Sequence, residues 1–362
     1  MEHIDGIFAS ALESRRSITE MELVNLAPEL DLNQKSGTAL IERFRKLMEE
    51  CSADPEHIGG FHDFQTLGAE FNEQIQQELK DGAIGAVDGT DRLSPMSFAS
   101  TQLMVSGICS VTSQRRGDPE MHLTSTTSDL AGADLTDEDS NDLWSIAEQM
   151  DEAARDGSWS TTIREYFERE VAADMPSEVK TCLIDGPFFT QNLMTQQVAR
   201  DHLMEPMLRD SRRYIGVIKG LDSSWSICRW AALALRPGEV YVLSTIRDAF
   251  TERLNRGGGG GAQIMAGWLE RNASNFVRGV YRPNGKAFAF ECALSDLPYA
   301  IALLRNDASP QINHEIPRLL QVVDQHCRSS NNSAQIKKLL LAQLQARDSD
   351  MATQLSDERI SR

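Results

Sequence analysis

Apolar positions along this chain follow two periods, and the switches between them lay out the architecture. Helical spacing comes first. Leu40, Phe44, Leu47 and Met48 share one face of a helix over 39–48, and Leu67, Phe71, Ile75 and Leu79 repeat every fourth position over 67–79. Residues 1–79 therefore read as a helical N-terminal arm, placed to dimerise, to dock a partner or simply to pack on the first core strands. Strand-like runs then begin. Residues 82–90 form an apolar strand that ends on Asp88 and a glycine turn. Residues 97–111 are rich in β-formers and lack proline, 115–119 are a turn, and 121–128 suit the return strand of a hairpin.

The pattern turns helical again over 143–173, after an acidic, solvated loop at 132–142. Ile163, Phe167 and Val171 make an apolar stripe there. Glu168 lies beside that stripe, whereas Glu165 and Glu170 lie further round. A second buried strand over 179–185 again runs into Asp-Gly, at Asp185-Gly186. A helix over 194–207 follows, then a strand over 214–220 that ends on Lys219, a strand over 239–246, and a hairpin over 275–293 turning at Pro283-Asn284-Gly285. The glycine run 257–261 reads as a flexible loop. It is no phosphate-binding loop, because Ala262-Gln263 follows it in place of Gly-Lys-Ser/Thr. Helices over 317–327 and 333–347 precede a polar tail, 348–362.

Composition narrows the class. The 362 residues suit one large domain or two ordinary ones, and 41% hydrophobic content builds a substantial core. No run approaches the roughly 18 apolar residues of a membrane span. Met1-Glu2-His3-Ile4-Asp5 has neither the basic nor the apolar part of a signal peptide. Six scattered cysteines, never spaced Cys-x-x-Cys, read as reduced, buried thiols. The expectation is a cytoplasmic protein with no membrane attachment and no zinc ribbon. A net charge of −18 argues against a free-standing nucleic-acid binder. Local cations (Arg115, Arg116, Arg212, Arg213, Arg229 and Lys219) could still line a phosphate track.

The candidate chemistry lies at the strand ends. Asp88 and Asp185 each close an apolar strand before a glycine, so rigid elements can bring two carboxylates together. Such a pair repels itself unless a divalent cation neutralises it, and oxygen ligands favour Mg²⁺ or Mn²⁺. Glu168 is the candidate third ligand. Lys219 can meet a phosphate or a developing negative charge. The bland alternatives are two turns, a solvated glutamate and a snorkelling lysine.

The order strand-Asp, hairpin, acidic helix, strand-Asp fits an α/β fold, a ribonuclease H-like mixed sheet flanked by helices. Here the sequence resembles the NurA nuclease family. The resemblance rests on Val87-Asp88-Gly89-Thr90, the arginine-rich acidic helix with Glu168, Leu183-Ile184-Asp185-Gly186-Pro187, Gly216-Val217-Ile218-Lys219 followed by Ser223, and Val322-Val323-Asp324. It implies a nuclease domain over 80–347 and a manganese-dependent deoxyribonuclease (Mn²⁺, or Mg²⁺). It also implies a homodimer, a HerA-type hexameric ATPase partner that delivers DNA, and work in DNA end processing or anti-phage defence. By the same resemblance Asp88, Glu168 and Asp185 bind metal, with Lys219 and Asp324 nearby. One departure stands out: Ala342-Gln343 occupies the place of the family's Ala-His pair, and His326 is a possible substitute in space.

Three alternatives stay open. A catalytically degenerate NurA-like scaffold that regulates a HerA-type ring is motivated by Gln343. A nucleotide-handling enzyme of the actin and sugar-kinase type would use Asp-Gly-Thr at residues 88–90, one residue shorter than the usual phosphate loop. A two-carboxylate glycosidase is disfavoured by the 6% aromatic content, which offers no platform for sugar stacking.

Overall fold

In a computed structural model the described residues are 27–52, 60–98, 101–127, 158–221, 226–248, 260–308 and 316–330, with isolated positions at 338, 342 and 343. The expected acidic loop 132–142, helical residues 143–157, glycines 257–259, most of the helix 333–347 and the tail 348–362 lie outside them. Nine strands are present among the described residues: β1 (Gly60–Asp63), β2 (Ile84–Phe98), β3 (Thr101–Thr112), β4 (Glu120–Thr127), β5 (Thr181–Asp185), β6 (Arg213–Ile218), β7 (Glu239–Thr245), β8 (Phe276–Arg282) and β9 (Phe288–Ala293). They join in one sheet in the order β1-β7-β8-β9-β6-β5-β2-β3-β4. β2, β3 and β4 form an antiparallel meander. β5 pairs parallel to β2, and β6 parallel to β5. The remaining strands extend the sheet antiparallel from β6. With helices on its faces, this is the ribonuclease H-like mixed sheet that the order of elements predicts.

Strand periodicity sorts the core into two faces. Ile84, Ala86, Leu183, Ile215 and Val217 pack on one side with α2 (Asn72–Asp81), α6 (Leu297–Asn306) and α7 (Arg318–Ser330). Val87, Cys182, Ile184 and Tyr214 pack on the other side. Their neighbours are α3 (Ser158–Ala173), the broken helical run Gln191–Arg209 and α5 (Gly260–Asn272). A third cluster joins α1 (Ala27–Ser52) and α4 (Ser226–Ala234) to Tyr241, Leu243 and Val280. The central strands are buried on both faces, so their sequences read as apolar runs without alternation.

Several expectations are corrected. Gly60–Asp63 is no helix; it pairs with β7 as an edge strand of the main sheet. In α1 the buried seam is Met48 with the partly buried Ile41 and Phe44, and Leu40 and Leu47 are exposed. β2 does not end at Asp88. Pairing with β3 continues from Asp88↔Cys109 to Phe98↔Thr101, with irregularities after Asp91 and Leu93. A neighbouring strand that keeps pairing overrides the local turn signal. Helix α6 has no counterpart in the sequence reading. Seven of its ten residues are buried, so it shows no amphipathic period. Burying Ile301, Leu303 and Leu304 contributes about 1.5–3 kcal/mol each.

Candidate active site

The two aspartates reach the site by different local devices. Asp88 lies within β2 and is 8% exposed. Asp185 is the last residue of β5, and Gly186 at φ 108° turns the chain back so that its N–H donates to Val217 O at 2.8 Å. That return lies so close to β6 that a Cβ on Gly216 would stand 2.7 Å from Phe188 N and 2.8 Å from Gly186 O. Beneath it Glu291, fully buried, accepts the Phe189 N–H at 3.0 Å and the Arg278 Nε–H at 2.8 Å. The loop after Asp185 is thus fixed from below by a hydrogen-bonded ion pair.

Glu168 comes from the other face of the sheet. It sits at the centre of the buried side of α3, 4% exposed, and not at its border. Gly89 makes this possible. A Cβ there would lie 2.5 Å from Glu168 Oε1 and 2.7 Å from its Cγ. The glycine after Asp88 therefore serves close approach, where the sequence suggested a turn.

One cavity of about 380 Å³ gathers these groups: Asp88, Glu168, Asp185, Lys219 and Asp324 all line it. Lys219 follows β6 and its Nζ is ion-paired with Asp185. Asp324, on α7, accepts from Arg328 Nε at 3.0 Å. Glu168 is held by two arginines, with Arg164 Nε 3.3 Å from Oε1 and Arg169 Nη1 donating to Oε2 at 2.8 Å. Arg169 is 1% exposed and also donates to the carbonyls of Glu165, Pro187 and Phe188. It ties the Glu168 carboxylate to the loop that follows Asp185.

The electrostatics follow from burial and like charge. Asp88 is pushed up to about 8, first by burial and then by Asp185 and Glu168. Glu168 is pushed up to about 7 by burial, against the pull of Arg169 and Arg164. Asp88 therefore favours its protonated form at neutral pH, and Glu168, stabilised as a carboxylate by the two arginines, is poised between its two forms. The donor set is all oxygen, as Mg²⁺ and Mn²⁺ require. Among the described residues no three such side chains form a ready-made cation cage. Lys219, Arg164 and Arg169 hold two of the carboxylates, so those salt bridges must rearrange for all three to share an ion.

The sequence reading missed Arg164, Arg169, Cys327 and Arg328. The four-residue spacing of Arg164 to Glu168 and of Asp324 to Arg328 is a visible signal for two of them. A buried Arg169 has none. Of the expected phosphate track only Lys219 lines this cavity. Arg212 is structural. Its guanidinium donates to the carbonyls of Ala172, Ala173, Met175, Pro176 and Val179, closing the C-terminal end of α3. Arg213 faces Asp296 at 3.4 Å and lies over the Tyr299 ring. His326 donates Nε2–H to Gly117 O at 2.9 Å and accepts from Ser330 Oγ at Nδ1, so it does not stand in for a histidine at the cavity. Gln343 is helical and exposed.

No family model matches the chain, and no curated protein matches it in sequence. Solved structures similar to it include the NurA nuclease from Sulfolobus solfataricus, 10% identical over 78% of this chain and 93% of that one, with a TM-score of 0.42. A second NurA structure is 9% identical over 90% and 99%, with a TM-score of 0.47. A NurA structure with manganese is 8% identical over 84% and 97%, with a TM-score of 0.43.

Proposed function

We propose that this chain is a nuclease that hydrolyses phosphodiester bonds of DNA with Mn²⁺ or Mg²⁺ held by Asp88, Glu168 and Asp185. The observation that carries this reading is the meeting of three carboxylates from β2, α3 and β5, with Lys219, in one polar cavity. A divalent cation held there supplies a bound water of lowered pKa and neutralises charge on the phosphate. The chain's own residues do the rest. Asp88 and Asp185 present oxygens from a rigid sheet. Arg169 keeps Glu168 in reach. Lys219 and Arg164 are placed to bind non-bridging phosphate oxygens, where charge grows in the transition state. Both cations neutralise carboxylates in the resting site, Lys219 that of Asp185 and Arg164 that of Glu168, and would be free for phosphate if those carboxylates held a metal instead.

The motifs shared with the NurA family support a homodimer that works with a HerA-type hexameric ATPase, in DNA end processing or anti-phage defence. The net charge of −18 suits a nuclease whose DNA is delivered by a motor. The test uses end-labelled linear DNA with Mn²⁺, wild type against Asp88→Ala, each with and without such an ATPase. Cleavage that Asp88→Ala abolishes is the expected result. Mn²⁺ binding without cleavage under any condition would overturn the reading and leave the scaffold alternative, with Gln343→His as the variant to restore activity.

A further inference from the structure

A second cavity, about 530 Å³, opens at the N-terminal end of α7. Its wall carries four exposed cations from three places in the fold: Lys80 at the end of α2, Arg115 and Arg116 in the turn between β3 and β4, and Arg318 at the start of α7. None of the four forms an ion pair among the described residues. The one carboxyl in the wall, Asp307, is 6% exposed, accepts the Leu319 N–H at 2.9 Å and lies within electrostatic reach of Arg318, so it offsets part of one of the four charges. In a chain with 18 excess negative charges, four such cations around one cavity form a local field of the opposite sign.

The two cavities are joined by one helix. Arg318, Gln325 and Arg328 are exposed on α7 at offsets of seven and three, hence on one ridge. Arg318 lines the basic cavity and Arg328 the acidic one. Ten residues of helix separate them by about 15 Å, the length of about four nucleotides of a B-form strand. The ridge ends on guanidinium groups and bears an amide between them, the donor types that hold phosphates without reading sequence.

We infer that the basic cavity and the outward ridge of α7 bind the phosphodiester backbone of a nucleic-acid strand and lead it to the acidic cavity. This rests on the nuclease reading for its direction. The cations of the acidic cavity are already engaged by its carboxyls, Lys219 by Asp185, Arg164 by Glu168 and Arg328 by Asp324, so they are not free to capture a polyanion. Capture falls to cations set back from the site, and Lys80, Arg115, Arg116 and Arg318 occupy that position.

The test is fluorescence anisotropy with a short labelled single-stranded oligodeoxynucleotide, full-length chain and EDTA, as a function of salt. Arg115→Glu/Arg116→Glu and, separately, Arg318→Glu are each expected to weaken binding about tenfold or more. The slope of log affinity against log salt should also fall by about one in Arg318→Glu and by up to about two in the Arg115→Glu/Arg116→Glu pair. Lys80→Glu provides a third variant on another element, and unchanged melting temperatures show that the variants fold. Wild-type affinity and slope in all three variants would overturn the inference. So would a wild type that does not bind, or displacement of the strand by a mononucleotide or inorganic phosphate at concentrations as low as by unlabelled strand. Mn²⁺-dependent cleavage and its loss in Asp88→Ala are scored separately. Binding through these residues without cleavage would sink the nuclease reading and leave this surface standing.

Discussion

Asp88-Gly89 and Asp185-Gly186 look alike in sequence and do different things in the fold. Gly186 takes φ 108° with open space where a Cβ would go, so its value is conformational. Gly89 continues a paired strand, and its value is the room it gives Glu168. The aspartates differ as well. Asp185 ends a strand beside Lys219, whereas Asp88 lies inside a strand, where burial and its acidic neighbours hold its carboxyl up at about 8. The same dipeptide therefore contributes a carboxylate to the cavity at both places, but one glycine redirects the chain and the other admits a side chain from the opposite face.

The largest effect should come from removing either carboxylate. Asp88→Asn and Asp185→Asn are each expected to lower Mn²⁺-dependent cleavage by about a hundred- to a thousandfold, the order seen when one charge-stabilising group is lost from an active site. Equal losses would show that the two positions serve one site despite their different devices. Full activity in Asp88→Asn would break the assignment.

Next in size is the pH dependence of metal binding. Asp88 and Glu168 are protonated below about 8 and about 7, and must lose those protons to bind a cation. Mn²⁺ affinity measured by calorimetry should therefore rise from about pH 6 to pH 8, by up to about tenfold per unit for each proton displaced. Affinity that is flat over this range would contradict the buried, repelling arrangement.

The third test separates the aspartates through stability. The folded pKa of Asp88 lies above its ordinary 3.8. The proton-linked stabilisation is present in full below about 4 and is lost as pH rises to about 8. Thermal unfolding in EDTA should show stability falling across that window, and Asp88→Asn should flatten the fall and raise stability at the alkaline end by about 1–3 kcal/mol. Asp185→Asn should give no such gain, because it leaves Lys219 without its partner.

The smallest effect discriminates the glycines. Gly89→Ala and Gly186→Ala are each expected to cost about 1–3 kcal/mol, by crowding in the first and backbone strain in the second. Glu168→Asp, which shortens the colliding side chain, should recover part of the loss in a Gly89→Ala background and none in Gly186→Ala. A double-mutant cycle in denaturant measures this coupling. Equal coupling at both positions would collapse the distinction between the two glycines.

Much of the fold was legible in the chain. The strands at 181–185, 213–218 and 239–245 and the hairpin 276–293 are short apolar runs bounded by turn residues, and they form close to where those signals place them. Asp88, Glu168, Asp185, Lys219 and Asp324 were named from residue type, element ends and motif, and they line one cavity. Helix α6 was invisible because burial on nearly all sides erases periodicity. The edge strand at 60–63 is four residues long and takes its conformation from β7. Arg212 looked like a phosphate ligand, because no local pattern reveals that five carbonyls converge on it.

The sequence by itself determined the sheet-building strands, the acidic and basic residues at their ends, and an excess of negative charge. These are properties of a few neighbouring residues: alternation, turn chemistry and composition. Only the tertiary structure decided that β2 runs on past Asp88, that Glu168 crosses to Asp88 over Gly89, and that Arg169 binds the loop after Asp185. It also decided that Lys80, Arg115, Arg116 and Arg318 gather at the end of α7 away from the carboxylates. Those outcomes depend on how closely a helix approaches a sheet and which groups meet across it. Side chains far apart in the chain set that distance jointly, so no single segment encodes it.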